Sequence, residues 1–281
     1  MRDIRRRGPS VVKKGPNLQK EFRIMEVLNK FYPGLSVPKV ISMESDLLTM
    51  TALPGEHIDF SADSGLSIVE KIEAMATCLA EFHSVDVSRL IEIVNTRYSS
   101  ISDNIRTRFV EHMKLRGLDT KSVPYVREVK WINKKVESLG TRHGQVLVHG
   151  DYCHPQVLVD DNRAYTYDFE TTYIGYAGDD LARFVTKLLH IEATSIKQRI
   201  KTAHLERVFL RQYAKYRSYD RYVFALLKYV YLFRIRIHRR SSSGVLRNVL
   251  DGYVYRRQLN RLESFIRSER NRIETLSLDQ K

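Results

Sequence analysis

The sequence predicts an α+β fold: a small β-rich N-terminal part followed by a larger, mainly helical remainder. Three observations carry this. Short strand-like runs crowd the first part of the chain, at Ser10-Val11-Val12-Lys13-Lys14, Val37-Pro38-Lys39-Val40-Ile41 and Asp46 to Gly55. Apolar residues recur at helical spacing from Ser67 onward, most clearly in Ile68, Ile72, Met75, Leu79 and Phe82. Between the helical stretches lies a strand-rich island, Val146 to Val148, Val157 to Val159 and Ala164 to Tyr167, bounded by polar turns.

Taken in order, the run ending at Lys13-Lys14 is closed by Gly15-Pro16, and reads as a strand that delivers an ammonium. Leu18, Phe22, Met25 and Leu28 then share one face of a helix over Leu18 to Phe31, with Glu21 near its start. The next two strands are joined by a polar turn, and the second ends at the breaker Pro54-Gly55. Ser67 and Glu70 form a capping-box pattern, in which a hydroxyl and a carboxylate three residues apart satisfy free amides reciprocally. The apolar stripe behind them is a core face, and His83 at its end reads as a packed or helix-end histidine rather than a ligand. From Val85 to Thr141 the pattern weakens to helical fragments near Ile105 to Arg116 and Tyr125 to Leu139, the latter with the only tryptophan, Trp131. Asp179 or Asp180 suits the N-cap of a helix before Leu181. The rest is helical by pattern, through Phe184, Leu188, Ile191, Phe224, Leu227, Tyr231, Leu259, Leu262 and Ile266, with a break at Ser241-Ser242-Ser243-Gly244.

Composition narrows the class. A hydrophobic fraction of 43% with 28% charged residues over 281 positions is that of a folded protein with a sizeable core, in one large domain or two lobes. Cys78 and Cys153 are too few for a disulfide framework and lack metal-site spacing, which points to cytoplasmic residence. Met1 to Arg7 is basic with no apolar region behind it, so no secretory signal is read there. The stretch Tyr222 to Ile237 is interrupted by Lys228, Arg234 and Arg236, and falls short of a membrane span. The 47 Lys and Arg against 33 Asp and Glu give a net charge of +14, which concentrates anions around the chain. Neither zinc-ligand spacing nor an aromatic RNA-binding signature accompanies that charge.

The chemistry gathers in the central island. Asp151 lies at the end of one strand, Asp168 at the end of another, and Gln156 in the turn between them. Strand ends with polar residues are where a rigid scaffold displays its chemistry. An Asp that accepts a hydroxyl proton, a side-chain oxygen for a metal and a second Asp for the same metals form a minimal set for phosphoryl transfer from a nucleotide.

The run His149-Gly150-Asp151, the amide of Gln156 and the triplet Asp168-Phe169-Glu170 resemble the aminoglycoside phosphotransferase and choline kinase group of small-molecule kinases, whose fold is that of protein kinases. The resemblance implies an N-terminal lobe over residues 1–53 and a helical lobe over 54–281 carrying the catalytic loop. It departs from the family pattern in two places. Gln156 stands where the family usually has Asn, on a stem one methylene longer, and only twelve residues precede Lys13, where two strands and a phosphate-covering loop are usual. The N-terminal lobe is therefore expected to be truncated, or its upper clamp replaced by Arg5, Arg6 and Arg7.

The resemblance also assigns roles. Asp151 orients the acceptor hydroxyl and takes its proton; Gln156 and Asp168 bind Mg²⁺; Lys13, with Lys14 as the alternate, touches the nucleotide phosphates and pairs with Glu21. Thr51 and Leu53 lie in the linker whose backbone binds adenine. His149 and Asp180 hold the catalytic loop, and Glu170 holds that loop or faces the acceptor. The expected activity is transfer of the γ-phosphate of ATP, or of another nucleoside triphosphate, to a hydroxyl of an aminoglycoside-, amino-alcohol- or sugar-like small molecule. The alternatives are a nucleotide-binding pseudokinase or scaffold, and an atypical protein kinase. Arg234, Arg236, Arg239, Arg240, Arg247, Arg256, Arg257 and Arg261 either receive an anionic acceptor or lipid headgroup, if several share a face, or form a solvated surface.

Overall fold

A computed structural model describes residues 3–15, 18–60, 63, 65–94, 100–114, 123–137, 139, 144–194, 202–241 and 249–278. In chain order its elements are β1 (Asp3–Arg7), β2 (Ser10–Lys14), α1 (Leu18–Phe31), β3 (Val40–Glu44), β4 (Leu47–Thr51), α2 (Gly65–His83), α3 (Ile101–Lys114), α4 (Val123–Val136), β5 (Val146–Val148), β6 (Val157–Asp160), β7 (Arg163–Thr166), β8 (Tyr173–Gly175), α5 (Ala177–Thr194), α6 (Thr202–Tyr216), α7 (Arg221–Ser241) and α8 (Val249–Leu278). The α+β class is thus as the sequence predicts, with, among the described residues, four strands in the first 51 residues, four in the island at 146–175, and helices dominating the rest.

The chain divides into two compact units: residues 1–97, 145–180 and 203–218 form one, and 98–144, 181–202 and 219–281 the other. Within the first unit Glu56 and Val159 exchange backbone hydrogen bonds, so the segment after β4 is tied to β6.

In the first unit, β1, β2, β4 and β3 form an antiparallel sheet in that spatial order. The strand β1 pairs with the Lys13 strand through a tight turn at Gly8-Pro9, so a hairpin does stand ahead of Lys13. The side chains of Arg5, Arg6 and Arg7 lie outside the described residues. Strand β3 starts at Val40 rather than Val37, because Pro38 has no N–H to give a ladder. In its place the Asn29 carboxamide donates to the Pro38 carbonyl and accepts from the Val40 N–H. Helix α1 buries Leu18, Ile24, Met25 and Leu28.

Helix α2 begins at Gly65, two residues ahead of the expected Ser67, which places Ser67 inside the first turn rather than at the cap. Its stripe of Ile68, Ile72, Met75, Leu79 and Phe82 is fully buried and packs toward the strand pairs β5–β8 and β6–β7. The turn between β6 and β7 is made by Asp161 and Asn162, with Asp161 in the left-handed region at φ 49°, which Asp tolerates better than most residues.

The second unit is helical, with α7 packed on α8 and on α3. Its interior holds a buried ion pair, Lys228 Nζ to Glu269 Oε2 at 2.8 Å. Trp131 donates its indole N–H to Glu274, which Lys135 also contacts. Of the arginines noted above, Arg234 is exposed; the side chains of Arg236, Arg239, Arg240, Arg247, Arg256, Arg257 and Arg261 lie outside the described residues, as does the predicted break after Ser241. Among the described residues, no helix is long and apolar enough to cross a membrane.

Candidate active site

Strand β5 is three residues of buried aliphatic backbone, and the chain leaves it through His149-Gly150-Asp151. Gly150 sits at φ +81°, and a Cβ there would lie 2.4 Å from the Thr171 carbonyl oxygen. Only glycine lets this loop turn left-handed against a second backbone.

The loop hangs from one buried carboxylate. Asp180 Oδ2 accepts the His149 N–H at 2.7 Å and Oδ1 accepts the Gly150 N–H at 2.9 Å. A third donor reaches Oδ2 from α2, the His83 Nε2–H at 3.1 Å, and His83 in turn takes the Tyr213 hydroxyl on Nδ1. Asp180 is the fourth residue of α5, not its cap, so its charge also lies in the favourable field of that helix N-terminus. On the far side of the loop, the buried Tyr152 hydroxyl donates to the Met75 carbonyl at 2.7 Å.

The two buried histidines are neutral for the same reason. Burial drives the pKa of His83 below its ordinary value by more than Asp180 returns. Burial does the same to His149, again only partly offset by Asp180. The partners then fix the tautomer of His149: Nε2–H donates to the Tyr167 carbonyl at 2.9 Å, since a carbonyl only accepts, and Nδ1 accepts the Asp151 N–H at 3.4 Å. His149 is therefore a strut between the loop and the strand end that carries Asp168.

Asp168 occupies a left-handed backbone position, φ 69° and ψ 66°, which turns its side chain out of the β7 line. Its Oδ1 accepts a hydrogen bond from Lys13 Nζ at 2.7 Å, while the same ammonium donates to Glu21 Oε2 at 2.6 Å. Strand β2, helix α1 and the turn after β7 thus converge on one cation. Burial opposes the charge on Lys13, but the Glu21 carboxylate and the bonds to both acids outweigh it and raise the pKa. Lys13 is accordingly a fixed cation at neutral pH. Burial raises the Glu21 carboxyl, with Lys13 giving back part of the shift. The other Glu21 oxygen accepts the Phe169 N–H at 3.3 Å. Phe169 is fully buried and stacks on Phe82 at a centroid distance of 5.6 Å.

Of the remaining sequence-predicted residues, Lys14 points outward, with an exposed side chain 3.7 Å from Asp46. Lys13, not its neighbour, is the lysine that meets Glu21 and Asp168. Asp151 is half-buried at the tip of the loop. Gln156 is half-buried at the end of the one-turn segment His154–Gln156. Its main chain is held by neighbours: the Thr166 hydroxyl donates to the Gln156 carbonyl at 3.4 Å and the Tyr167 hydroxyl to the Pro155 carbonyl at 2.7 Å. Thr51 is spent within the sheet, giving its N–H to Lys39 and taking the Lys39 N–H on Oγ1. Leu53 lies beyond the sheet, after Ala52 has donated to the Pro9 carbonyl. Glu170 lies half-buried in the turn that follows Asp168.

Three contributors were not singled out from the sequence for this site: His83 as a donor to Asp180, Tyr213 behind it, and Lys20. The partners of His83 are 97 and 130 residues away, and those of Lys20 are 150 and 152 away, so no local pattern announces them.

The family described as the phosphotransferase enzyme family matches residues 5–222. No curated protein sequence matches. Among solved structures, a putative aminoglycoside phosphotransferase from Ralstonia eutropha JMP134 is similar, with a TM-score of 0.63 at 14% identity, covering 96% of this chain and 92% of that one. The ADP-bound aminoglycoside phosphotransferase APH(2'')-Ib aligns at a TM-score of 0.56 and 16% identity, over 95% of this chain and 94% of that one. A Plasmodium vivax ethanolamine kinase aligns at 0.57 and 13% identity, over 92% and 77%. At such identities these likenesses establish a shared kinase-like fold.

Proposed function

The chain belongs to the phosphotransferase enzyme family, and from that premise we propose that it transfers the γ-phosphate of ATP, or of another nucleoside triphosphate, to a hydroxyl of an aminoglycoside-, amino-alcohol- or sugar-like small molecule. The observation that carries the reading is the convergence of Lys13, Glu21 and Asp168 within 2.7 Å contacts, beside a loop whose Asp151 is braced from both sides. One relative is ADP-bound and another is an ethanolamine kinase, which supports a nucleotide donor and an acceptor of this general kind.

In this reading Lys13 lies against the nucleotide phosphates and offsets charge that builds on them, held in place by Glu21. Asp151 aligns the acceptor hydroxyl for in-line attack and takes its proton as the new bond forms. A carboxylate is a weak base, so most of its value is orientation. The donor set suits a magnesium ion: Asp168 has a carboxylate a quarter exposed, with only Oδ1 engaged by Lys13, and the Gln156 amide is half-buried. Asp168 and Gln156 would hold the ion, which when bound supplies electrostatic neutralisation across the phosphate oxygens. Among the described residues, no three His, Cys, Asp or Glu side chains gather as a metal cluster. Cytoplasmic residence accords with this reading, since Cys78 and Cys153 are buried and too few for a disulfide framework.

A nucleotide-binding scaffold is the second reading, favoured by Gln156 in a position where the family usually has Asn. The test is a thermal-shift titration with MgATP followed by ADP-release assays over a panel of aminoglycosides, amino alcohols and sugars. Wild type is expected to be stabilised and to turn over with at least one acceptor class. Asp168→Ala should lose the MgATP shift, whereas Asp151→Asn should keep it and lose roughly 10²–10⁴-fold in turnover. Unchanged transfer in both variants would refute the proposal, and stabilisation with no turnover across the panel would select the scaffold.

A further inference from the structure

We propose that Lys20 is a positioning residue that couples helix α1 to the catalytic loop, an inference that rests on the phosphotransferase reading above. Lys20 directly precedes Glu21 and is half-buried. Its ammonium donates to the Thr172 carbonyl at 2.5 Å and to the Glu170 carbonyl at 3.3 Å. Its neighbour Glu21 accepts the Phe169 N–H in the same stretch. Two consecutive side chains of α1 therefore grip residues 169–172 with opposite polarity, a carboxylate on an amide and an ammonium on two carbonyls. An ammonium has three donors and a flexible stem, which suits it to bridging two carbonyls that are not parallel.

The gripped segment is itself the floor of the catalytic loop. The Thr171 and Thr172 hydroxyls both donate to the His149 carbonyl, at 3.1 and 3.4 Å. Gly150 passes so close beneath the Thr171 carbonyl that no Cβ fits between them. A displacement of residues 170–172 cannot be absorbed there, and is passed to the residue before Asp151. Glu21 and Lys13 already fix α1 relative to Asp168. Lys20 extends that fixation from Asp168 to the loop of Asp151, so that the phosphate-side cation and the acceptor-side carboxylate keep one register. The contact is made to main-chain oxygens, so any residues at 170 and 172 would serve, and the specificity resides in the lysine.

Lys20→Met keeps the aliphatic stem and removes the donors, while Lys20→Arg keeps donors at similar reach. With MgATP and an acceptor from the panel, Lys20→Met is expected to lose on the order of tenfold to a hundredfold in kcat, with a smaller change in KM for ATP. Lys20→Arg is expected to recover most of the loss. Amide hydrogen exchange should show residues 149–151 and 169–172 opening faster in Lys20→Met, with the α2 core unchanged. Wild-type kcat in Lys20→Met, or a loss in Lys20→Arg equal to that in Lys20→Met, overturns the proposal. Should wild type itself show no turnover, the phosphotransferase reading fails, and exchange alone decides the coupling: unaltered protection at 149–151 in Lys20→Met refutes it.

Discussion

Replacing Asp180 with Asn tests how much of the site depends on one buried anion. The carboxylate accepts three hydrogen bonds, from the His149 and Gly150 amides and from the His83 ring, and it is fully buried. An Asn side chain offers one oxygen and one NH₂ group in the same volume. With its oxygen on the Oδ2 side, it keeps the His149 and His83 donors but turns an NH₂ toward the Gly150 N–H. The opposite flip strands the His149 N–H instead, although His83 can exchange tautomer against the Tyr213 hydroxyl. Either way one buried backbone donor loses its acceptor, which costs about 1–3 kcal/mol. The remaining bonds become neutral ones and weaken by roughly 1 kcal/mol each. Removing the carboxylate also removes its desolvation penalty, which offsets part of this. The net expectation is a loss of about 2–4 kcal/mol, or a Tm lower by roughly 5–15 °C in a protein of this size. Thermal melts followed by circular dichroism at pH 7.5 measure it, and Asp180→Ala, lacking every acceptor, should melt lower still. A Tm for Asp180→Asn within about 1 °C of wild type would refute the reasoning, because three buried donors cannot lose their anion at no cost.

Two further outcomes follow from the same geometry. Gly150→Ala forces a β-carbon into a left-handed position and against the Thr171 carbonyl; the backbone term alone is about 1–2 kcal/mol, so a urea midpoint equal to wild type would contradict it. Stability should also fall on mild acidification: His83 and His149 have folded pKa values lowered by burial, so the unfolded chain binds more protons below its own value near 6.5. Their contribution is complete above about pH 6.5 and is lost as the pH drops from there toward the folded values. Melts at pH 8, 7, 6 and 5 should show Tm declining through the last two steps, and a flat profile would show that the histidines titrate as they do in water.

Many of the strands and helices were legible because they obey a local period, whereas β1 and β8 were not named from the sequence. The α2 stripe, the Val146–Val148 run and the Lys13 strand are all visible in short windows, and the helix at Leu18–Phe31 has the bounds its pattern gives. Misreadings came where a non-local or stereochemical cause ruled. Pro38 delays β3 by withholding an N–H, and Asp180 acts from inside the first turn of α5 rather than as its cap. The candidate acids stand in motifs visible in short windows, but their bracing is not visible there. Lys13 and Asp168 are 155 residues apart, and His83 and Asp180 are 97 apart. Such contacts exist only once the sheet and α2 have packed, and no spacing rule encodes them.

The distribution of charge explains why this bracing takes the form it does. Lys13 faces two carboxylates, so the cluster of Lys13, Glu21 and Asp168 has one more negative group than positive when both acids are ionised. The fully buried partner, Glu21, is the one whose carboxyl burial raises, and the quarter-exposed partner is Asp168. Lys13 is thereby tied most closely where water is absent, while the Asp168 carboxylate keeps part of its surface near solvent. Isolated buried pairs of this kind seldom add stability, because desolvation consumes the attraction. Their worth lies in geometry. The ammonium stays charged and is directed by two acids from different elements, and under the proposed function reorganisation at the moment of phosphoryl transfer would be correspondingly small. Asp180 does the same with opposite sign: a buried anion held by two amides and a neutral histidine fixes the Asp151 loop without introducing a second mobile charge. The two devices meet at residues 169–172, where Glu21 and Lys20 hold one side and the His149 carbonyl the other.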